Sequence, residues 1–177
     1  MSYIVHKFGG SCLKSDSDLA RISELVNDSQ TRVVVVISAF NGVTNLLLRA
    51  IDECESSAAF ISEIRSIHRD ISSSSAKVVE TEEFARLLTR LQHDLDLSQP
   101  SQYVVAVKHR ILAYGERLAT LVVAEYLRST GINAEAVAAE DIGISIIGDG
   151  RQRRIDLAAS TPGILDVIQR GIIPVIT

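Results

Sequence analysis

The feature that most constrains the fold is an uninterrupted β-branched segment at residues 33–37, which lies between two segments with helical spacing. A continuous apolar run without alternation is typical of a parallel strand that is covered on both faces. Residues 3–8 form a similar short segment, and each of the two segments is followed by a loop and then by an apolar helical stripe. This repeated order predicts an α/β fold with an open, mostly parallel sheet sandwiched by helices.

Residues 52–110 interrupt this order with helical patterns alone. Two sets of apolar residues recur there at helical spacing: Phe60, Ile64 and Ile67, and then Phe84, Leu87, Leu88, Leu91 and Leu95. The serine run at 72–75 predicts a turn between them. We therefore expect a helical insertion beside the sheet, followed by a long helix from about residue 102 to 129 with Gly131 as its C-cap glycine.

The last third of the chain returns to alternating strand and helix patterns. Residues 133–138 and 172–176 predict strands, and residues 145–155 predict a small hairpin with Gly148-Asp149-Gly150 as its turn. Thr161-Pro162 and Gly171 predict the start and the end of a helix. Ligand-binding loops follow the strands of such sheets, so a final strand at 172–176 predicts an incomplete domain, the first part of a larger one.

Composition and charge exclude several kinds of partner. Lys and Arg number 18 against 22 Asp and Glu, the net charge is −4 and Trp is absent, so we expect no nucleic-acid partner. The longest apolar run is too short to span a bilayer, which predicts no membrane partner. Cys12 and Cys54 lie far apart, which favours reduced thiols and a cytoplasmic location. No metal site is predicted, and the histidines are interpreted as surface or core-edge residues: His6, His68, His93 and His109.

A glycine pair directly after the first predicted strand is a candidate phosphate loop. Gly9 and Gly10 let backbone N–H groups approach an anion without a Cβ in the way, and Ser11 adds a hydroxyl. Lys7 stands where its ammonium could reach a transferring phosphoryl group. The alternative is a tight turn beside a solvated lysine.

The loop after the second predicted strand is a candidate substrate loop. It spans residues 38–44 and opens a helix, so in a parallel sheet it faces the same crevice as the first loop. Ser38 and Thr44 could offer hydroxyls to a small polar substrate. Thr44 could also be a plain helix N-cap.

Gly115 and Glu116 stand out within the long predicted helix. A glycine there costs about 1 kcal/mol relative to alanine, so Gly115 indicates a close approach by another element. Glu116 precedes a mostly apolar stretch at 118–127, where a carboxylate needs a cationic partner. The amino group of a bound amino acid would be suitable. The alternative is an exposed helix face that carries Glu116 and Arg117.

Taken in this order, the motifs resemble the aspartate kinases of the amino acid kinase family. The resemblance is carried by Lys7-Phe8-Gly9-Gly10-Ser11, by Val36-Ile37-Ser38-Ala39 leading to Gly42-Val43-Thr44-Asn45-Leu46, and by Gly115-Glu116. A helical insertion between the second and third motifs is typical of the same group. The commonest first motif of the family continues with Thr-Ser-Val, where this chain has Ser11-Cys12-Leu13.

The resemblance implies a fold like that of the carbamate kinases. It implies the ATP-dependent phosphorylation of the L-aspartate side chain to 4-phospho-L-aspartate, the first step toward lysine, threonine and methionine, with Mg²⁺ accompanying ATP. It assigns the catalytic role to Lys7, ATP-phosphate binding to Lys7, Gly9, Gly10 and Ser11, and substrate binding to Ser38, Thr44 and Glu116.

The resemblance also implies that residues 1–177 are the N-terminal portion of a kinase domain, without the nucleotide-binding C-terminal half and the regulatory domains. The isolated chain is then expected to lack kinase activity, and the full-length parent is expected to form homo-oligomers. Two alternatives stay open. One is another amino acid or carbamate kinase, and the other is a non-catalytic amino-acid-binding or interaction module.

Overall fold

The computed structural model describes residues 2–53, 56–98, 104–149 and 152–177, and its centre is a parallel sheet. Four strands form this sheet: β1 (Tyr3–Phe8), β2 (Arg32–Ile37), β3 (Ala134–Val137) and β6 (Ile173–Ile176). Their order is β1-β2-β6-β3, with parallel pairing throughout. The remaining strands, β4 (Ile146–Ile147) and β5 (Arg154–Ile155), pair antiparallel and confirm the predicted hairpin, whose turn residue Gly150 lies outside the described residues.

Helices cover the sheet and fill the predicted insertion. They are α1 (Asp16–Asn27), α2 (Val43–Asp52), α3 (Ser57–Asp70), α4 (Ser75–Val78), α5 (Glu82–Ser98), α6 (Val104–Ser129) and α7 (Leu157–Gln169). The α/β prediction is therefore confirmed, with α3, α4 and α5 between the second and third sheet-forming strands in the chain. Residues 102 and 103, where the long helix was expected to begin, lie outside the described residues, as does Cys54.

Strand β2 is covered on both faces, as its continuous apolar sequence predicts. Val33, Val35 and Ile37 face the main core, whereas Val34 joins a smaller cluster with Val167 of α7. Helix α6 passes through the main core and contacts α5, α2 and β3. This central helix thereby links the helical insertion to the sheet.

Two of the predicted helix ends are confirmed and one predicted start is wrong. Gly131 and Gly171 follow α6 and α7 with φ angles of 88° and 73°, the left-handed conformation that glycine adopts most readily. Helix α7, however, begins at Leu157, before Thr161-Pro162. The reason is Asp156, whose side chain accepts a hydrogen bond from the Ala159 N–H at 3.1 Å and so caps an earlier start.

His68 is fully buried, so its interpretation as a surface or core-edge residue is wrong. It follows Phe60 and Ile64 at intervals of four residues, on the buried side of α3. Its ring lies between those of Phe40 and Phe84, with centroid distances of 5.2 and 5.6 Å. Within the described ranges, none of the helices combines the length and the hydropathy that a membrane span requires.

Candidate phosphate and substrate site

The two candidate loops lie side by side at the carboxyl ends of β1 and β2. The parallel register pairs Phe8 with Ile37, so both strands end at the same level. The Ser38 N–H donates to the Phe8 carbonyl at 3.1 Å, and the Asn41 N–H donates to the Leu13 carbonyl at 3.0 Å. The two loops are therefore neighbours, and backbone hydrogen bonds hold them together.

The first loop presents the start of a short 3-10 helix, Gly10–Cys12, to the crevice. The Cys12 N–H donates to the Gly9 carbonyl at 2.8 Å and closes this turn. The first N–H groups of a helix have no partner within it, and Gly9 supplies no side-chain cap. A Cβ on Gly10 would lie 3.1 Å from the Ala39 carbonyl oxygen, so the close approach of the two loops favours glycine.

Lys7 brings a positive charge to this loop. It is exposed near the end of β1, and its Nζ lies 3.5 Å from the position that a Cβ on Gly9 would take. An ammonium next to unpaired N–H groups forms a favourable environment for an anion. The Lys7 side chain thus lies beside Gly9, at the start of the loop that Gly10 and Ser11 continue.

The second loop ends in a glycine cap. Gly42 has a φ of 86° and is the N-cap residue of α2, so the alternative interpretation of Thr44 as the N-cap is wrong. Thr44 is instead the second helical residue and is exposed, whereas Ser38 is half-buried at the end of β2. Ser38 directly follows β2, and Thr44 is two residues after the Gly42 cap. Both therefore lie near the carboxyl ends of the strands.

Helix α6 supplies the carboxylate. A Cβ on Gly115 would meet Ala39 Cβ at 3.1 Å and Val43 Cγ1 at 3.1 Å, so a glycine allows α6 to lie against the second loop and α2. Burial raises the pKa of the adjacent Glu116 carboxyl, and the positive charge of Lys7 partly offsets this rise. Lys7 and Glu116, more than a hundred positions apart in the sequence, are therefore electrostatic neighbours.

Glu116 and Arg117 do not form the exposed face considered as an alternative. Glu116 is half-buried, and the Arg117 side chain is 23% exposed and pairs with Glu140 at 2.9 Å. Among the described residues, the Glu116 carboxylate has no ion pair within 4.0 Å and no hydrogen bond.

Sequence reasoning missed a buried carboxylate near this site. Asp94 of α5 binds Arg110 and Tyr114 of α6, and Tyr114 directly precedes Gly115. The signal that could have found Asp94 is its position, three residues after Leu91 on the apolar stripe of α5, where a carboxylate requires a partner.

Two further observations delimit the site. Among the described residues, no cluster of three or more His, Cys, Asp or Glu side chains could hold a metal ion. A cavity of about 460 Å³ lies at the opposite end of the strands, next to the amino ends of β2 and β6. None of the predicted site residues lines it.

A parallel sheet with a glycine loop, a hydroxyl-bearing loop and a carboxylate at the carboxyl ends of its strands is typical of the α/β proteins whose ligands bind beyond the strand ends. Residues 2–177 match the model of the amino acid kinase family, and the chain belongs to that family.

Similar proteins include several aspartokinases. Aspartokinase 3 of Bacillus subtilis (strain 168) is 28% identical over 82% of this chain, which corresponds to 33% of that protein. The chloroplastic bifunctional aspartokinase/homoserine dehydrogenase 1 of Arabidopsis thaliana is 23% identical over 90% of this chain and 19% of its own length. The chain thus spans a third or less of these relatives.

The fold also matches solved structures. The crystal structure of E. coli aspartokinase III in complex with aspartate and ADP superposes with a TM-score of 0.82 at 21% identity, and the match covers 99% of this chain and 40% of that one. The aspartate kinase of Clostridium acetobutylicum gives a TM-score of 0.68 at 21% identity.

Proposed function

We propose that this chain carries the phosphate loop and the aspartate-binding residues of an aspartate kinase, which transfers the γ-phosphate of ATP to the side-chain carboxylate of L-aspartate. The observation that carries this proposal is the arrangement of Lys7 and the glycine loop beside the Ser38 loop. Glu116 lies close enough to Lys7 for the lysine charge to lower the pKa of its carboxyl. The likeness to aspartokinases named for this activity supports it.

The site suits a zwitterionic amino acid. The α-amino group of aspartate is a cation that can pair with the half-buried Glu116, and such a pairing would lower the pKa of this carboxyl again. Thr44 and Ser38 offer hydroxyls to one carboxylate of the substrate. The remaining carboxylate then points toward the glycine loop.

Phosphoryl transfer here needs charge neutralisation and no general base. The side-chain carboxyl of aspartate ordinarily has a pKa of about 3.9 and is ionised at neutral pH. One of its oxygens attacks the γ-phosphorus of ATP, the new P–O bond forms, and the bond to the β,γ-bridging oxygen breaks. ADP leaves with that electron pair. Lys7 and the N–H groups of Gly10 and Ser11 reduce the repulsion between the two anions.

Several parts of the proposal reach beyond the described residues. We propose that residues 1–177 are the N-terminal portion of the kinase domain, with 52–110 as a helical insertion, and that a homo-oligomer in the cytoplasm is the working form. The described ranges contain no ligand cluster for Mg²⁺, and no residue is assigned to it.

The test begins with the gene beyond codon 177 and uses its full-length product. We expect release of ADP that requires both ATP and L-aspartate, and no such release from the 177-residue chain alone. Turnover with carbamate or another amino acid in place of aspartate would favour a different kinase of the family. Aspartate binding without turnover would favour a non-catalytic module.

Lys7→Met tests the catalytic assignment. Removing a charge that stabilises the transferring phosphoryl group should lower kcat about 10²–10³-fold. The control is Lys14→Met, which removes an exposed lysine of the same loop region and should leave kcat within about two-fold of the wild type. Equal losses in both variants, or none in Lys7→Met, would contradict the assignment.

A further inference from the structure

Helix α6 is held against α5 of the helical insertion by an ion pair near Glu116, in which the Asp94 side chain is 8% exposed and the Arg110 side chain is 54% exposed. The Asp94 carboxylate of α5 accepts from Arg110 Nε at 2.7 Å, from Arg110 Nη2 at 2.8 Å and from Tyr114 Oη at 3.0 Å. Asp94 is only 5% exposed. Burial alone would raise the pKa of Asp94, but the hydrogen bonds from Arg110 and Tyr114 outweigh it and lower that pKa, which keeps the carboxyl ionised.

Stability alone does not explain such a pair. Removing the Asp94 carboxylate from water is costly, and an ion pair with a half-exposed arginine contributes little net stability in return. A carboxylate bound by two side chains of one helix does provide something that apolar packing lacks, namely a defined rotation and height of that helix. Arg110 and Tyr114 are four residues apart and lie on the same face of α6.

The height of α6 matters for the site. Tyr114 directly precedes Gly115, where an added Cβ would lie 3.1 Å from Ala39 Cβ and from Val43 Cγ1, so α6 lies close against the substrate loop and α2. Glu116 follows at once. A small rotation of α6 would therefore change both the contact with the loop and the direction of the Glu116 carboxylate.

We propose that Asp94, Arg110 and Tyr114 act as positioning residues that set the place of Glu116, so that the helical insertion tunes the affinity for aspartate without touching it. This inference rests on the proposed function, in which Glu116 binds the amino group of aspartate. It assigns a role in substrate binding to α5, an element that contributes none of the sequence-predicted site residues.

Tyr114→Phe in the full-length gene product is the first test, because it removes one hydroxyl and keeps the ring. We expect KM for aspartate to rise about 5- to 20-fold, with kcat and KM for ATP within about two-fold. The control is Tyr126→Phe, which alters a tyrosine of the same helix away from the site. It should change none of the three constants. Arg110→Lys keeps the charge, loses the bidentate geometry, and should behave like Tyr114→Phe.

A double variant separates positioning from general destabilisation. If Tyr114 acts through Glu116, Tyr114→Phe should have no further effect on KM for aspartate in a Glu116→Gln background. Additive effects in the double variant, or a wild-type KM in both Tyr114→Phe and Arg110→Lys, would overturn the positioning role while leaving the proposed function intact. A wild-type enzyme that does not use aspartate would instead overturn the proposed function itself.

Discussion

At the scale of single residues, His68 shows how the core tolerates a titratable ring. It is fully buried, its Nδ1 hydrogen-bonds with the Ile64 carbonyl at 2.7 Å, and its Nε2 has no partner among the described residues. Burial lowers the pKa of His68 from 6.5 to about 4, although the bond to Ile64 opposes this. The ring is thus kept neutral between Phe40 and Phe84.

This burial makes the fold sensitive to acid. The unfolded chain binds the His68 proton near pH 6.5, whereas the folded chain excludes it until about pH 4. The free energy of unfolding should therefore fall as the pH drops through this window, by about 3 kcal/mol in total. Urea unfolding at several pH values should show a flatter pH dependence for His68→Phe than for the wild type.

His109→Asn serves as the control, because it removes an exposed imidazole. It should keep the wild-type pH dependence. If His68→Phe retained the full dependence as well, other groups would account for the acid sensitivity.

At the scale of elements, Gly115 of α6 connects packing with the site. Alanine at this position should gain about 1 kcal/mol of helix propensity and lose a similar amount through crowding against Ala39 and Val43. We therefore expect Gly115→Ala to leave the free energy of unfolding within about 1 kcal/mol of the wild type and to raise KM for aspartate several-fold.

Gly131→Ala provides the opposite pattern. Gly131 follows the end of α6 and has a φ of 88°. Because alanine is strained in this conformation, Gly131→Ala should lower the free energy of unfolding by about 1–2 kcal/mol without changing KM for aspartate. Urea titration and steady-state kinetics on both variants test the pair. Weakened aspartate binding in Gly131→Ala alone would refute the role given to Gly115.

The helices, strands and loops differ in how well the sequence predicts them. Local signals, namely the apolar run of β2, the glycines after β1 and Gly131 after α6, were sufficient for the strands, both loops and the long helix. The start of α7 was missed because the Asp156 cap outweighed the signal from Pro162. The proximity of Lys7 and Glu116 and the Asp94 ion pair depend on how α6 packs, and this packing is set by contacts far apart in the chain.

At the scale of the whole molecule, the sheet has an open edge at β1. In the described sheet this strand pairs only with β2, and Ile4 and Val5 are 40% and 62% exposed. Unpaired N–H and C=O groups beside exposed apolar side chains favour association between strands of different molecules. We expect the 177-residue chain to self-associate as its concentration increases.

Val5→Lys tests this expectation, because a charge on an edge strand opposes such pairing. Sedimentation velocity over a concentration series should show less association for Val5→Lys than for the wild type. Leu157→Lys adds the same charge at a residue of α7 that is 72% exposed, and should leave the association unchanged. A monomeric wild type over the whole series would contradict the prediction.

The hydrogen bonds from Ser38 to Phe8 and from Asn41 to Leu13 have a consequence for protein engineering. They couple the conformations of the two glycine-bearing loops. An insertion, a deletion or a graft in one loop therefore changes the other. A library of variants for a new substrate should vary residues 9–13 and 38–42 together. A change in one loop that does not fit the conformation of the other loop would disturb the backbone hydrogen bonds between them.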